Sequence, residues 1–440
     1  MKQIRIFYLI ILLMIPVAAS AQISELSLKE SIRIALDQNL QYRGAEESLE
    51  IARAKMKESY GNFLPNINVS LIHTLDEKLM EFEMPPLAPG MDPTPVTIDF
   101  TKDFMASLQI RQPIFAGGAI WFNYRQNLYN YRAEEQNYIK QRLSTIFQTR
   151  EAYYNVLLTE ELIKVSEEAL KLNEGLLKNT ELLYEQGMAN KFEVLNAEVQ
   201  YENIKPRVIE AKNSRNLAML GFKNLLQLET RNDLILTRGL EFIERDFNLD
   251  SLLILSNQIR PDILQMEYQQ NRMDQFVNLS YSTFSPTLAL AADYNYRKDD
   301  FSWDMNKWED NYSVNLVLSI PLFRGTSRIF KVQQANAAKR RVDIAQQAVI
   351  TGVALEIEAN YLKFYVAIEK LKLQSKNVER AEENVRIADL NYTEGLITPL
   401  EMSVAQMNLI ETRIIHLKAL YEYLISLAAL EESVGIENLN

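Results

Sequence analysis

The sequence predicts an α+β membrane protein, in which a long α-helical coiled-coil barrel is continuous with a transmembrane β-barrel shared between chains. Each chain would contribute four strands to that barrel. Three observations predict this fold: an internal two-fold repeat, four segments of alternating polarity, and two very long helical stretches without proline. The 440 residues are 24% charged and 47% hydrophobic, and no apolar run after the N-terminus is long enough for a spanning helix.

The repeat is visible as motifs that recur 208 residues apart. The stretch 112–118 (QPIFAGG) resembles 320–326 (IPLFRGT), and a Tyr-x-x-Gly motif with a following glutamate recurs at the same offset. The aligned pairs are Pro113 and Pro321, Phe115 and Phe323, Gly117 and Gly325, Gly187 and Gly395, and Glu193 and Glu401. Upstream the offset is 221, because the first copy has 13 more residues between Pro65 and Pro113. We therefore predict one repeat over 22–245 and a second over 246–440.

The first 21 residues are typical of a secretory signal peptide. Lys2 and Arg5 precede an apolar run, and Ala19-Ser20-Ala21 forms a small-residue cleavage site. An N-terminal membrane anchor is the alternative interpretation of this segment. Removal of the signal peptide would move the net charge of the chain from −11 to −13. Such an acidic chain argues against a nucleic-acid partner. The absence of cysteine excludes disulfides, thiolate metal sites and cysteine nucleophiles.

Four strands are predicted from period-two alternation, at about 66–75, 103–112, 287–297 and 311–320. They form one hairpin in each repeat, and each strand would have one apolar and one polar face. Prolines between 84 and 95 predict an irregular exposed loop in the first hairpin. In the second hairpin, Phe301, Trp303 and Trp308 are typical of a membrane-interface girdle. A soluble four-stranded sheet with one hydrated face would produce the same alternation.

A long helix follows each hairpin, at about 119–186 and 327–394, and each would extend roughly 100 Å. Return helices are predicted at about 191–228 and 399–430, with a break or kink at Pro206. Shorter helices at about 28–63 and 249–284 precede the first strand of each repeat. Two adjacent apolar seams on the long helices indicate neighbours on both sides, as in a cylinder wall.

Both helical turns carry the same signals. Gly187 and Gly395 stand where a left-handed helix terminus is expected. Asn190 with Glu193, and Thr398 with Glu401, have the spacing of a capping box. Pro399 falls at the first position of the second return helix, where proline is favoured.

On these motifs the sequence resembles the outer membrane efflux protein family, the TolC-like channels, over nearly all of the chain after residue 21. The resemblance implies a homotrimer with a twelve-stranded barrel in the outer membrane and a helical tunnel in the periplasm. It further implies a passive exit duct that works with a periplasmic adaptor (membrane fusion) protein and an inner-membrane transporter of the RND or ABC type. Outer-membrane lipid would surround the barrel, and no cofactor or metal is implied.

The resemblance also places the gate at the periplasmic tip, where family members often carry acidic residues after the tip glycine. Glu193 and Glu401 match the first such position, whereas Asn196 and Val404 match the second and are not acidic. Pore lining and helix capping are equally compatible with the two glutamates. The strand-to-helix exits would be built by Pro113, Phe115, Gly117, Pro321, Phe323 and Gly325.

Two other classes of protein share parts of this pattern. A periplasmic coiled-coil adaptor or scaffold would also contain helical hairpins, but its hairpin is flanked by lipoyl-like and barrel domains instead of being duplicated with amphipathic strands. An enzyme is not expected, because the sequence has no nucleophile elbow, metal cluster or complete phosphate loop.

Overall fold

The computed structural model describes residues 24–75, 80–85, 90, 94–98, 104–229, 234–237, 239–298 and 309–438. The predicted signal segment and the aromatic residues Phe301, Trp303 and Trp308 lie outside these ranges. The chain divides into two compact units: unit 1 comprises Met1–Gly44, Lys140–Arg260 and Val353–Asn440, and unit 2 comprises Ala45–Ile139 and Pro261–Gly352. Two helices, α3 (Ala119–Glu185) and α7 (Ser327–Thr393), contribute residues to both.

The remaining elements follow in chain order. They are β1 (Ser24–Leu26), α1 (Leu28–Gln38), α2 (Leu40–Gly61), β2 (Asn66–His73), β3 (Met80–Met84), β4 (Thr94–Ile98), β5 (Phe104–Phe115), α4 (Lys191–Leu225), β6 (Leu234–Leu236), α5 (Leu249–Ile259), α6 (Pro261–Ser282), β7 (Thr287–Lys298), β8 (Glu309–Ser319) and α8 (Pro399–Val434). Among the described helices, none is both long enough and apolar enough to cross a bilayer.

Unit 2 contains an antiparallel sheet of four strands in the order β2-β5-β7-β8. The two predicted hairpins are present, and the pairing of β5 with β7 joins them into one sheet. Both edge strands, β2 and β8, are exposed along their whole length. Each edge strand therefore presents a row of backbone N–H and C=O groups that no other described strand of the chain pairs.

The register confirms the predicted separation of polar and apolar residues between the two faces. Residues opposite one another across a ladder lie on the same face, and alternate residues along a strand share it. The polar face carries Asn66, Asn68, Ser70, Ser107, Gln109, Arg111, Asp293, Asn295, Arg297, Asn311, Ser313 and Asn315. The opposite face carries Ile67, Val69, Leu71, Ala106, Leu108, Ile110, Leu290, Ala292, Tyr294, Tyr312, Val314 and Leu316.

The predicted irregular loop over 84–95 is partly wrong, because β3 and β4 form an antiparallel ribbon inside the first hairpin. Pro95 belongs to β4 and stands opposite Glu83. A two-stranded ribbon has a free edge on each strand, so a proline whose missing N–H faces outward removes no ladder bond. A single proline at the start of a ribbon strand is therefore compatible with pairing.

The shorter helices are also interrupted where the sequence predicted continuous ones. Between α1 and α2, the Asn39 side chain accepts hydrogen bonds from the backbone N–H groups of Gln41 (3.0 Å) and Tyr42 (3.1 Å), which starts a new helix. Between α5 and α6, Arg260 is extended (ψ 124°) because the following Pro261 disfavours the helical conformation at that residue.

The four helices of unit 2 lie side by side in the order α2–α3–α6–α7. Tyr60 of α2 meets Tyr124 of α3 with ring centroids 6.0 Å apart. Arg272 of α6 donates to Asn130 of α3 (3.0 Å), and Lys339 of α7 forms an ion pair with Asp274 of α6. Helix α3 therefore has a neighbour on each side within the chain, whereas α2 and α7 are at the edges.

Unit 1 contains a parallel pair, β1 with β6, that packs on α3 and α4. Its best buried aromatic side chains include Tyr153, Phe222, Phe364 and Tyr423. Of the break or kink predicted at Pro206, the break is wrong, because α4 is continuous from Lys191 to Leu225. Ile204 and Val208, on either side of Pro206, are buried against α3 and α8. That packing offsets the loss of the one helical hydrogen bond that the proline cannot donate.

Candidate functional site at the helical turns and strand exits

The two helical turns in unit 1 have the same backbone geometry. Gly187 has φ +73° and Gly395 has φ +72°, so both helices α3 and α7 end in the left-handed conformation that the sequence predicted. Met188 N–H donates to the carbonyl of Leu183 (2.8 Å), and Leu396 N–H donates to the carbonyl of Asn391 (2.8 Å). These bonds satisfy carbonyls at the helix ends, as in a Schellman motif.

Both return helices begin with a complete capping box, which confirms the predicted capping pairs. Asn190 accepts from the N–H of Glu193 (3.0 Å), and the Glu193 carboxylate accepts from the N–H of Asn190 (2.9 Å). Glu401 N–H donates to Thr398 Oγ1 (3.2 Å), and the Glu401 carboxylate accepts from the N–H of Thr398 (2.8 Å). The backbone and hydroxyl of Thr398 stabilise the charged carboxylate, and they lower the pKa of Glu401 below its ordinary value.

The turns meet around a cavity of about 310 Å³. The first turn contributes Glu193, Asn196 and Gln200 to its lining, and the second contributes Thr398, Pro399 and Leu400. Of the predicted gate residues, the structure thus brings Glu193 and Asn196 to one cavity. Glu401 and Val404 are not among its lining residues, and Val404 is 52% exposed.

Two hydrogen bonds that the sequence did not predict connect the helix pair α3–α4 to the helix pair α7–α8. Ser403 Oγ donates to Gln200 Oε1, and Asn179 Nδ2 donates to the Tyr392 hydroxyl (3.1 Å). Ser403 is buried in α8, next to the apolar cluster of Leu176, Ala388, Met402 and Ala405. A hydroxyl inside such an apolar cluster needs a partner, so a serine within the seam was the signal that could have indicated a cross-hairpin bond.

Further along the same helices, ion pairs also link α8 to α3 and α7. Arg413 of α8 donates to Glu168 of α3 (2.8 Å) and to Glu382 of α7 (2.8 Å). Arg150 of α3 forms an ion pair with Glu431 of α8, and both side chains are largely buried. The helices of the two predicted repeats are therefore connected by apolar, hydrogen-bonded and ionic contacts.

The strand exits in unit 2 share a sequence motif but differ in packing. At the first exit, β5 pairs with β7 up to Phe115, with a register shift between Pro113 and Phe115. Gly117 follows with φ +61°, and a Cβ at that position would be 2.3 Å from the Cβ of Ser285. The tight packing and the positive φ together explain the glycine at this position.

At the second exit, Pro321 and Phe323 lie beyond the end of β8, and Phe323 is 83% exposed. Gly325 has φ +67°, with nothing within 4 Å of the position that a Cβ would take. The exposed second exit belongs to the edge strand β8, whereas the first exit belongs to an interior strand.

The sequence matches the family model described as "Outer membrane efflux protein" over residues 31–226 and 252–436. The chain belongs to the outer membrane efflux protein family, which is a family of efflux proteins and not of enzymes. No curated protein sequence matches it.

Among solved structures, the Campylobacter jejuni CmeC outer membrane channel is similar at 17% identity, with a TM-score of 0.76, over 93% of this chain and 85% of that chain. The Vibrio cholerae outer membrane protein VceC is similar at 16% identity, with a TM-score of 0.75, over 93% and 96% of the two chains. The Neisseria gonorrhoeae MtrE outer membrane channel, in its open state, is similar at 18% identity, with a TM-score of 0.74, over 93% and 89%. The fold is thus that of TolC-like outer membrane channels.

Proposed function

We propose that this protein is the outer-membrane exit duct of a tripartite efflux or type I secretion system. It would conduct substrates passively from an inner-membrane pump across the periplasm and the outer membrane. The observation that carries the proposal is the amphipathic four-stranded sheet with two unpaired edges. Backbone groups at an open edge cannot remain unpaired in hydrocarbon, so the edges of this sheet must pair with other chains if it lies in a bilayer.

A homotrimer with a twelve-stranded barrel is the assembly that we propose, and exposed apolar side chains in unit 1 support it. In α7, Leu362, Val366 and Leu373 are 58%, 67% and 61% exposed. Leu158 and Val165, which lie 208 residues before Val366 and Leu373, are each 8% exposed in α3. The same face is covered within the chain in α3 but uncovered in α7. We therefore expect this face of α7 to pack on the next chain.

The same proposal includes the two-fold repeat and the export of the chain. The family model matches two separate segments, which supports one repeat over 22–245 and another over 246–440. Residues 1–21 would direct export and be removed, and the helical turns would point into the periplasm. There the chain would meet a periplasmic adaptor and an inner-membrane transporter of the RND or ABC type.

Localisation and conductance test the duct directly. The full chain is expected in the outer-membrane fraction as a heat-modifiable trimer, and the purified trimer should form channels in a planar bilayer. Recovery as a soluble periplasmic protein without channel activity would contradict the proposal and favour an adaptor or scaffold.

Substitutions at the two turn glutamates separate pore lining from capping. The double variant Glu193→Gln/Glu401→Gln keeps a side chain that can complete a capping box but removes the charge. The double variant Glu193→Ala/Glu401→Ala removes both. If the glutamates line the constriction, both variants should change cation preference, with Glu198→Gln on the exposed face of α4 as the control. An altered alanine variant together with an unaltered glutamine variant would assign the two residues to capping alone.

A further inference from the structure

An arginine lies between two aromatic rings at the start of α3. Trp121, Arg125 and Tyr129 are spaced four residues apart, so they form one stripe on the helix surface. The Arg125 guanidinium carbon lies 5.9 Å from the Trp121 ring centroid and 5.3 Å from that of Tyr129, and its Nη2 donates to the Tyr129 hydroxyl. In the described part of the chain Arg125 has no carboxylate within ion-pair distance.

Trp121 is 50% exposed although α3 is not an edge helix. Helix α2 covers one side of α3 through Tyr60 and Tyr124, and α6 covers the other through Arg272. A neighbouring chain added beside α2 or α7 would not reach the stripe from the side. Trp121 therefore lies on one of the two broad surfaces of this layer of helices.

The stripe follows the apolar face of the sheet closely along the chain. Phe115, the last residue of β5, stands opposite Leu288, which shares its face with Leu290 and Ala292. Trp121 follows Phe115 by six residues, after the Gly117 turn. From Trp121 to Arg125 the helix rises about 6 Å, and the headgroup layer on each side of a bilayer is about 5–8 Å thick. If the sheet spans the hydrocarbon, Trp121 and Arg125 lie at the depth of the headgroups, and Tyr129, about 12 Å from Trp121 along the helix, lies at the aqueous edge of that layer.

The chemistry of the stripe fits an anionic headgroup with an acyl chain beside it. Indole and phenol rings favour the membrane interface, where one part of the ring is apolar and the other is hydrated. A guanidinium presents several N–H donors in the planar arrangement that a phosphate accepts. We propose that Trp121, Arg125 and Tyr129 hold the phosphate of a membrane glycerophospholipid at the periplasmic interface of the barrel. The proposal rests on the proposed function, because it requires the sheet to lie in a bilayer.

Only the first copy has this stripe. At the positions 208 residues later, α7 carries Ile329, Gln333 and Ala337. The trimer would therefore hold three such lipids, one per chain, instead of six. The second copy also supplies substitutions that a helix in the same place already tolerates, namely Trp121→Ile and Arg125→Gln.

Fluorescence quenching tests where Trp121 lies. The chain has three tryptophans, so Trp303→Phe/Trp308→Phe leaves Trp121 as the single emitter. The trimer is reconstituted into phosphatidylglycerol vesicles whose acyl chains are brominated near the glycerol end. Strong quenching by the brominated lipid and weak quenching by aqueous iodide are expected. Quenching by iodide alone, in vesicles that conduct, would place Trp121 towards water and overturn the inference while the duct stands. Vesicles that do not conduct and contain no inserted protein would instead count against the duct itself.

Lipid binding tests the arginine. Delipidated trimers are titrated with phosphatidylglycerol, and bound lipids are counted by native mass spectrometry. Loss of one charge-assisted contact in Arg125→Gln should weaken binding at the three sites about tenfold, whereas Gln333→Ala should leave it unchanged. Trp121→Ile should weaken binding in the same direction. Equal binding by Arg125→Gln and Gln333→Ala, with trimers and conductance intact in both, would overturn the assignment.

Discussion

Replacing Gly117 by alanine should destabilise the protein more than replacing Gly325, although the two glycines occupy the same motif. Both have a positive φ, +61° and +67°, so a side chain at either position meets the same backbone strain. Among the described residues of one chain, only at Gly117 does the new Cβ also meet atoms that cannot move easily. It would lie 2.3 Å from the Cβ of Ser285 and 2.9 Å from the carbonyl oxygen of Ser282.

The loss of folding free energy in these variants has two contributions. The left-handed conformation costs a non-glycine residue roughly 1–2 kcal/mol, which applies to both variants. Overpacking against fixed atoms typically adds about 1–3 kcal/mol, which applies only to Gly117→Ala. Gly325→Ala should therefore lose about 1–2 kcal/mol and Gly117→Ala about 2–5 kcal/mol. The difference between them isolates the packing at the first exit.

Thermal unfolding of the purified trimer, followed by circular dichroism, measures this difference. For a cooperative unit of the size of unit 2, a loss of 1 kcal/mol lowers Tm by about 2–4 °C. Gly117→Ala is thus expected to unfold several degrees below Gly325→Ala. Equal midpoints for the two variants would refute the argument that contact with Ser285 requires the first glycine. A lower midpoint for Gly325→Ala would show that the second exit is the more tightly packed of the two.

Three further outcomes are expected in unit 1. Arg150→Met should cost about 3–5 kcal/mol because it removes one member of a largely buried ion pair with Glu431, whose side chain is 6% exposed. Arg150→Met/Glu431→Met should recover most of the thermal midpoint. Thr398→Ala should cost about 1 kcal/mol and speed amide hydrogen exchange in the first turn of α8, and unchanged exchange would contradict the role of the cap. The pKa of Glu401 is lowered in the folded state, so its stabilising contribution is present above the ordinary glutamate pKa of about 4.3 and is lost as the pH falls through the lower folded value. Amide exchange at the α8 N-terminus, corrected for its intrinsic pH dependence, should rise over that range in the wild type but not in Glu401→Gln.

Much of the local structure follows from short-range patterns. The spacing of Asn190 with Glu193 predicted a capping box because both partners lie within one helical turn. The glycines at 187 and 395 predicted left-handed termini because other residues rarely adopt that conformation. Alternation predicted the strands because successive side chains of a strand point to opposite faces. By contrast, Asn39 and Pro261 were local signals for helix ends that the sequence interpretation missed.

Contacts between distant segments could not be predicted in the same way. The apolar surroundings of Ser403 in the sequence indicate that its hydroxyl needs a partner, but they do not identify Gln200, which lies 203 residues away on another helix. Continuity of α4 through Pro206 likewise depends on packing against α3 and α8, which outweighs a local helix-breaking tendency.

The sequence by itself determined the long helices, the four strands of the large sheet, the two hairpins, and the turns with their caps, because propensity, capping and periodicity act over a few residues. Only the tertiary structure decided that β5 pairs with β7, that the first exit glycine is packed against Ser285 while the second is open within the chain, and that Trp121 remains exposed beside Arg125. Those features depend on which distant segments approach each other. Packing joins side chains that are far apart in the chain, so no local pattern reveals it.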